Sequence, residues 1–196
     1  MPARDVTGSS DIRPEVVASR IVHRGRVVTV RVDDVRLPDG QIVVREVVDH
    51  PGAVVIAALD ANGYVTLVRQ YRHAVGRWLL ELPAGTLEPG EEPLQTAIRE
   101  LREEAGLVAG RWDRVGMFFS SPGFLREEMH AFLARDLRIV QAEPESDEDI
   151  TLVSRSLADL LRGPDSVPDS KSLATLLLVE RHLAAEASGA SGAGGQ

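Results

Sequence analysis

The segment Gly85–Leu107, GTLEPGEEPLQTAIRELREEAGL, constrains the fold more than any other part of the chain. Leu94, Ala97, Ile98, Leu101 and Ala105 recur at helical spacing, so one stripe of a helix is expected to face a core. Pro93 suits a first helical turn, where a missing N–H costs nothing and the charge of Glu91 and Glu92 is favoured. Gly106 stands where a left-handed terminator belongs. The pattern predicts a helix from about Pro93 to about Ala105. The same helix carries Glu100, Glu103 and Glu104 within about one turn. Residues three and four apart share a helix side, so these carboxylates repel one another. Projected at about 100° per residue they fall on one arc, with Glu104 beside the apolar stripe, Glu100 next and Glu103 farthest toward solvent. A hard cation in front of them offsets the repulsion, and oxygen-only ligands suit magnesium or manganese rather than zinc or copper. The segment reads as a metal site at the edge of a core.

The rest of the chain bounds what that site can belong to. Its 196 residues are enough for one domain with a substantial core, or for one domain plus an oligomerisation element. A net charge of −8 argues against a general nucleic-acid binder. It does not forbid an anionic substrate, because a bound dication reverses the local sign. The absence of cysteine excludes disulfides, thiol nucleophiles and cysteine-ligated zinc. No apolar run reaches membrane-spanning length and no charged-then-apolar leader opens the chain, so the expected location is cytoplasmic.

The strand signals precede the helix and then alternate with helical ones. Ser19–Val35 and Gln41–His50 alternate Val and Ile with polar residues around Pro38-Asp39-Gly40, a hairpin signal. Ala53–Leu59 and Tyr64–Gln70 flank Asp60-Ala61-Asn62-Gly63, whose Asn-Gly is a turn dipeptide. Trp78–Leu82, Arg114–Phe119, Glu127–Leu133 and Ile150–Ser154 read as further strands. Ser156–Leu161 reads as a short helix, and Ser170–Ala187 as a longer one capped by Asp169 or Ser170. Leu173, Leu176, Leu177, Val179 and Leu183 are the expected apolar side of the latter. Residues 1–14 and 187–196 are polar or small and read as tails. The pattern is mixed α/β, with helices packed on a sheet.

The segment resembles the Nudix box, G-x5-E-x7-R-E-U-x-E-E-x-G-U, at Gly85, Glu91, Arg99, Glu100, Leu101, Glu103, Glu104, Gly106 and Leu107. The resemblance implies an α/β/α sandwich with a mixed sheet over residues 51–186, preceded by an N-terminal antiparallel β-element over residues 15–50. Across Arg20–His130 the order of features is similar to the bacterial ADP-ribose pyrophosphatases: REVVDHPGAVVIAAL, VRQYRH, WLLELPAG and SSPGF, with Pro122 fifteen residues past Leu107. That likeness implies hydrolysis of ADP-ribose to AMP and ribose 5-phosphate, dependent on Mg2+ or Mn2+ with more than one ion per site. It also implies a homodimer in which the N-terminal strands cross to the partner. Another Nudix substrate, such as a different nucleotide sugar or a flavin or nicotinamide dinucleotide, is the first alternative. A non-catalytic sensing module on the same fold is the second.

Site roles follow in part from chemistry and in part from the resemblance. Glu100 and Glu104 are the expected metal ligands, with Glu103 binding a second ion or holding a coordinated water. The resemblance adds the carbonyl of Ala84. Arg99 is expected to orient a ligand by an ion pair rather than touch substrate, and Glu91 to brace the turn into the helix. A guanidinium grips phosphate in bidentate fashion, which makes Arg72 the candidate phosphate anchor, against the reading of a solvated strand-end arginine. Arg45 corresponds to a residue that reaches the site from the partner subunit, or is simply on a wet strand face. Glu81 is expected near the substrate. Pro122 marks the subfamily or a plain turn, and Phe124 is a wall for the nucleotide or a packed core side chain. The general base is sought in the acidic stretch 143–149. Glu148 is the first choice as base or ligand and Glu145 and Asp147 are alternatives, since a second glutamate that some relatives carry falls on Ser146.

Overall fold

In the computed structural model of the chain, which describes residues 13–141, 150–163 and 167–192, the strands are β1 (Glu15–Arg24), β2 (Thr29–Arg36), β3 (Ile42–Asp49), β4 (Ala53–Leu59), β5 (Tyr64–Arg72), β6 (Arg77–Glu81), β7 (Ala84–Thr86), β8 (Leu107–Phe119), β9 (Leu125–Arg126), β10 (Glu128–Ile139) and β11 (Ile150–Ser156). The helices are α1 (Pro93–Ala105), α2 (Leu157–Arg162) and α3 (Ser170–Gly192). They fall into two units. One comprises Met1–His50 with Ser121–Arg126, and the other Pro51–Ser120 with Glu127–Gln196. Ser121–Arg126 groups with the first unit because β9 pairs in parallel with β3.

The second unit is built around β4. Its sequence AVVIAAL has no polar residue, and every position is buried. A strand that is apolar throughout is stable only when covered on both faces. Its alternation assigns the faces: Val54, Ile56 and Ala58 join Ala97, Leu101 and Ala105 of α1. Ala53, Val55, Ala57 and Leu59 join Leu160 of α2 and Leu176 and Val179 of α3. The result is the expected α/β/α sandwich. Its sheet is mixed: the order is β11-β5-β4-β10-β8, with β6 on β5 and β7 on β4. β10 runs parallel to β4 and antiparallel to β8.

One detail of this sheet places the site. β5 pairs with β4 only at Ala58 and Leu59, which leaves the first half of that edge open. The short β7 fills it, with Ala84 opposite Val55 and Gly85 opposite Val54. The Ile56 N–H also donates to the Pro83 carbonyl at 2.9 Å. The segment that opens the Gly85–Leu107 motif is thereby fixed within the sheet, on the edge of β4.

α1 has the expected bounds. Glu92 and Gln95 form a reciprocal capping box, Pro93 opens the first turn, and Gly106 closes the helix at φ 60°. Its buried side is narrower than the predicted stripe: Ala97, Leu101 and Ala105 are inside, but Leu94 and Ile98 are exposed. The sheet covers one line of the helix, and these two lie beside it.

Other differences have local causes. The single strand expected over residues 19–35 is two, β1 and β2, because the Gly25 N–H turns back onto the Val28 carbonyl at 2.8 Å. β8 starts directly after Gly106 rather than at Arg114, and β7 carries no strand signal of its own. In α3 the inward residues are Ser172, Thr175, Leu176 and Val179, while Leu173 and Leu177 of the expected apolar side are exposed. α3 also continues to Gly192, into the stretch read as a tail from residue 187. Alanine favours helix strongly enough to carry isolated glycines that cost about 1 kcal/mol each. Glu186, one residue before that stretch, is tied to Arg135 and Arg111.

The first unit is a four-stranded sheet of order β1-β2-β3-β9. Its polar centre is Asp33, 3% exposed, which accepts from Ser19 Oγ at 2.6 Å and from Arg31. β1 is exposed along its whole length.

Candidate active site

The carboxylates of α1 are graded in depth. Glu104 is 6% exposed, and the side chains of Glu100 and Glu103 are 13% and 29% exposed, the order that the helical projection gives. Glu104 Oε2 accepts the N–H of Ala84 at 3.0 Å, so the deepest carboxylate is held by the backbone of β7. Glu100 lies against Gly85 so closely that a Cβ there would stand 1.9 Å from its Cδ and Oε1. Only glycine allows this approach.

Arg99 sits among the acids. Its terminal nitrogen Nη1 donates to Glu100 Oε1 at 2.8 Å and Glu103 Oε2 at 2.9 Å. Nε and Nη2 donate to the two oxygens of Glu91 at 3.2 and 3.1 Å. Thr96 Oγ1 donates to Glu91 Oε2 at 2.8 Å, and the Glu88 N–H to the same oxygen at 3.4 Å. Glu91 therefore joins the loop to the helix and anchors Arg99. The hydrogen bond from Arg99 holds the Glu91 carboxyl below the usual range. Conversely, hydrogen bonding to Glu91 and the charges of Glu100 and Glu103 hold Arg99 more firmly protonated than an ordinary arginine. An open cleft of about 450 Å³ runs along this flank of α1, lined by Glu91, Gln95, Ile98, Arg99, Arg102 and Glu103.

These residues fit a hard divalent cation. Glu100 and Glu103 already converge on one positive group, the Arg99 guanidinium, so they lie close enough together to share a cation. All donors are oxygens, as magnesium and manganese require. A second group of possible ligands, Asp113, His182 and Glu186, has its donor atoms within 4.8 Å of one another. Here the charge is already balanced: Arg135 donates to Glu186 Oε2 at 2.8 Å and Asp113 Oδ2 at 2.5 Å, and Arg111 also pairs with Glu186. Two guanidiniums match two carboxylates, so a dication has little to gain. This group clamps α3 to β8 and β10.

Arg72 pairs with Arg77 and Glu81 with Val68 at opposite ends of the β5–β6 ladder, and the side chains of Arg72 and Glu81 meet along it, with Arg72 Nε donating to Glu81 Oε2 at 2.6 Å. Lys171, which carries no signal in the sequence, donates to the other oxygen at 2.6 Å. It lies 90 residues away, and only the packing of α3 brings it there. Asp169 caps α3 by accepting the Ser172 N–H at 3.0 Å. Arg45, Pro122 and Phe124 belong to the first unit. Arg45 is exposed and donates to the Val44 carbonyl at 3.1 Å. Phe124 is 56% exposed, which removes the reading of a core side chain. Glu145, Asp147 and Glu148 lie outside the described residues. The chain re-enters the sheet at Ile150, opposite Gln70 of β5.

Residues 48–176 match the NUDIX domain, and residues 15–48 match the nucleoside diphosphate sugar hydrolase N-terminal domain. An ADP-ribose pyrophosphatase of Bacillus subtilis (strain 168) is 39% identical over 82% of this chain and 89% of its own length. One of Mycobacterium tuberculosis (strain ATCC 25618 / H37Rv) is 43% identical over 84% of this chain and 82% of its own. Among solved structures, an ADP compounds hydrolase superposes with a TM-score of 0.80 at 25% identity, over 91% of this chain and 98% of that one. With the box residues assembled on β7 and α1 and the family match spanning residues 48–176, the chain belongs to the Nudix family.

Proposed function

We propose that this chain is a divalent-metal-dependent diphosphohydrolase that cleaves the pyrophosphate bond of ADP-ribose to give AMP and ribose 5-phosphate. One observation carries the reading: Glu104 and Glu100 lie against Ala84 and Gly85, and Arg99 joins Glu100 to Glu103, in a chain that is 39% and 43% identical to two proteins named ADP-ribose pyrophosphatase. Magnesium or manganese, more than one ion per site, held by Glu100, Glu103 and Glu104 with the Ala84 carbonyl and Glu148, would neutralise the diphosphate and lower the pKa of a bound water.

The remaining work falls to the chain. Glu104 is oriented by the Ala84 N–H, and Arg99 aligns Glu100 and Glu103 from behind. Arg72 presents its guanidinium to a substrate phosphate, with Glu81 setting its direction. Glu148 takes the proton from the attacking water as the phosphorus–oxygen bond breaks. Its position in sequence supports this, since it stands two residues before Ile150, which pairs opposite Gln70, itself two residues from Arg72. Arg45, Pro122 and Phe124 are the further candidates for contact with the nucleotide, Arg45 from the partner subunit of a homodimer. The apolar residues exposed on the first unit, including Val16, Ile21, Val22, Ile42 and Val44, support an assembled form, since a lone chain rarely leaves so many together in water.

The test is a panel of ADP-ribose, ADP-glucose, NADH and FAD incubated separately with magnesium, with products followed by chromatography. Rapid AMP formation from ADP-ribose, abolished by chelation, is the expected result. Preference for another member of the panel would overturn the substrate and keep the metal chemistry; inactivity on all four would overturn both.

A further inference from the structure

Glu81 is 2% exposed, and a carboxylate at that depth is stable only when paired and hydrogen-bonded. Its partners are divided between its oxygens: Arg72 holds Oε2 through Nε alone, and Lys171 Nζ holds Oε1. Arginine and carboxylate left to themselves favour a fork with two parallel hydrogen bonds. Here Lys171 competes for the oxygen that the second tine would take. Lys171 is itself fixed, donating to Asp169 Oδ1 at 3.0 Å. Ser172 Oγ accepts the N–H of Leu82 at 2.8 Å, which ties the start of α3 to the end of β6. Arg72 remains 37% exposed, against 19% for Lys171.

We propose that Lys171 is a positioning residue for substrate binding: by engaging Glu81 Oε1 it competes with a bidentate Arg72–Glu81 pair and leaves the terminal nitrogens of Arg72 for a phosphate of a nucleoside diphosphate. The proposal rests on the reading of Arg72 as a phosphate anchor. Without the ammonium, Arg72 folds onto both oxygens of Glu81 and is withdrawn from the substrate.

The experiment is equilibrium binding of ADP-ribose by calorimetry in the presence of EDTA, so that substrate stays intact, with thermal melting of each variant. K171M is expected to bind about tenfold more weakly, about 1.4 kcal/mol, with K171R close to wild type. R72M is expected to be at least as weak as K171M, and adding K171M to it should cost nothing more. The chain has no cysteine, so K171C can be aminoethylated at that position alone; recovery of affinity would assign the effect to the amine rather than to packing. Wild-type binding by K171M alongside weakened R72M would overturn the role of Lys171 and spare that of Arg72. Wild-type binding by R72M would overturn both. Equal losses from K171M with and without Arg72, or no recovery of a folded, aminoethylated K171C, would also sink the proposal.

Discussion

Replacing Gly85 by alanine separates the metal site from the fold. The backbone at Gly85 does not lie at positive φ, so alanine meets no conformational penalty there. What it meets is Glu100: the new Cβ would lie 1.9 Å from Cδ and Oε1 and 2.4 Å from Cγ. These atoms are the mobile end of a side chain, so the carboxylate yields rather than the strand. To reach ordinary contact at 3.4 Å it must retreat by about 1.5 Å. An off-rotamer side chain costs roughly 0.5–1.5 kcal/mol, so stability should fall by about 1 kcal/mol. Catalysis should suffer more, since a misplacement of about 1 Å costs on the order of 100-fold, or about 2.7 kcal/mol in the barrier. The assays are kcat/KM with ADP-ribose at saturating magnesium and the urea midpoint of the same preparation. Retention of more than about a tenth of wild-type kcat/KM would refute the argument. So would a stability loss above roughly 3 kcal/mol, because β7 would then have moved in place of Glu100.

Glu104→Gln should reduce turnover below a tenth of wild type, more than about 1.4 kcal/mol, with no loss in melting temperature. The amide oxygen can still accept from the Ala84 N–H, and one charge leaves a repelling cluster; unchanged turnover would remove Glu104 from the ligand set. Leu101→Ala, at a fully buried position between α1 and β4, should cost about 2–5 kcal/mol in urea unfolding, and a loss below about 1 kcal/mol would contradict the packing described. Glu186→Gln tests the α3 clamp through pH. The hydrogen bond from Arg135 pushes the Glu186 carboxyl down to about 2 from an ordinary 4.5. A depressed carboxylate stabilises the fold above its unfolded pKa and loses that contribution as pH falls through the folded one. The gap in urea midpoint between wild type and Glu186→Gln should be full at pH 7 and shrink between about pH 4.5 and 2; a gap independent of pH would refute the clamp.

What the sequence disclosed depended on how local each signal was. The bounds of α1 were legible because Pro93, Gly106 and the i, i+4 spacing all act within one helix. β4 was legible because seven apolar residues ending in a turn have few other fates. β7 was not, since Ala84–Thr86 is a strand only by virtue of the edge that β5 leaves open on β4. The same holds at the site. The three glutamates announce themselves by spacing, but Lys171 reaches Glu81 from 90 residues away, and nothing near it in the chain marks it out. The exposed positions Leu94 and Ile98 show the complementary error: periodicity gives the side of a helix that faces inward, and only the width of the sheet says how much of that side is covered.

The placement of Arg99 has a consequence for the life of the enzyme between turnovers. A cation built into the same helix cannot diffuse away, so the acidic pocket is never without a counter-charge when metal is scarce. Loading an ion then adds charge to carboxylates that the guanidinium already aligns, instead of filling an empty, self-repelling cavity. The cluster can thus be strongly acidic without straining the helix that carries it, and the fold does not depend on the supply of the ion it uses.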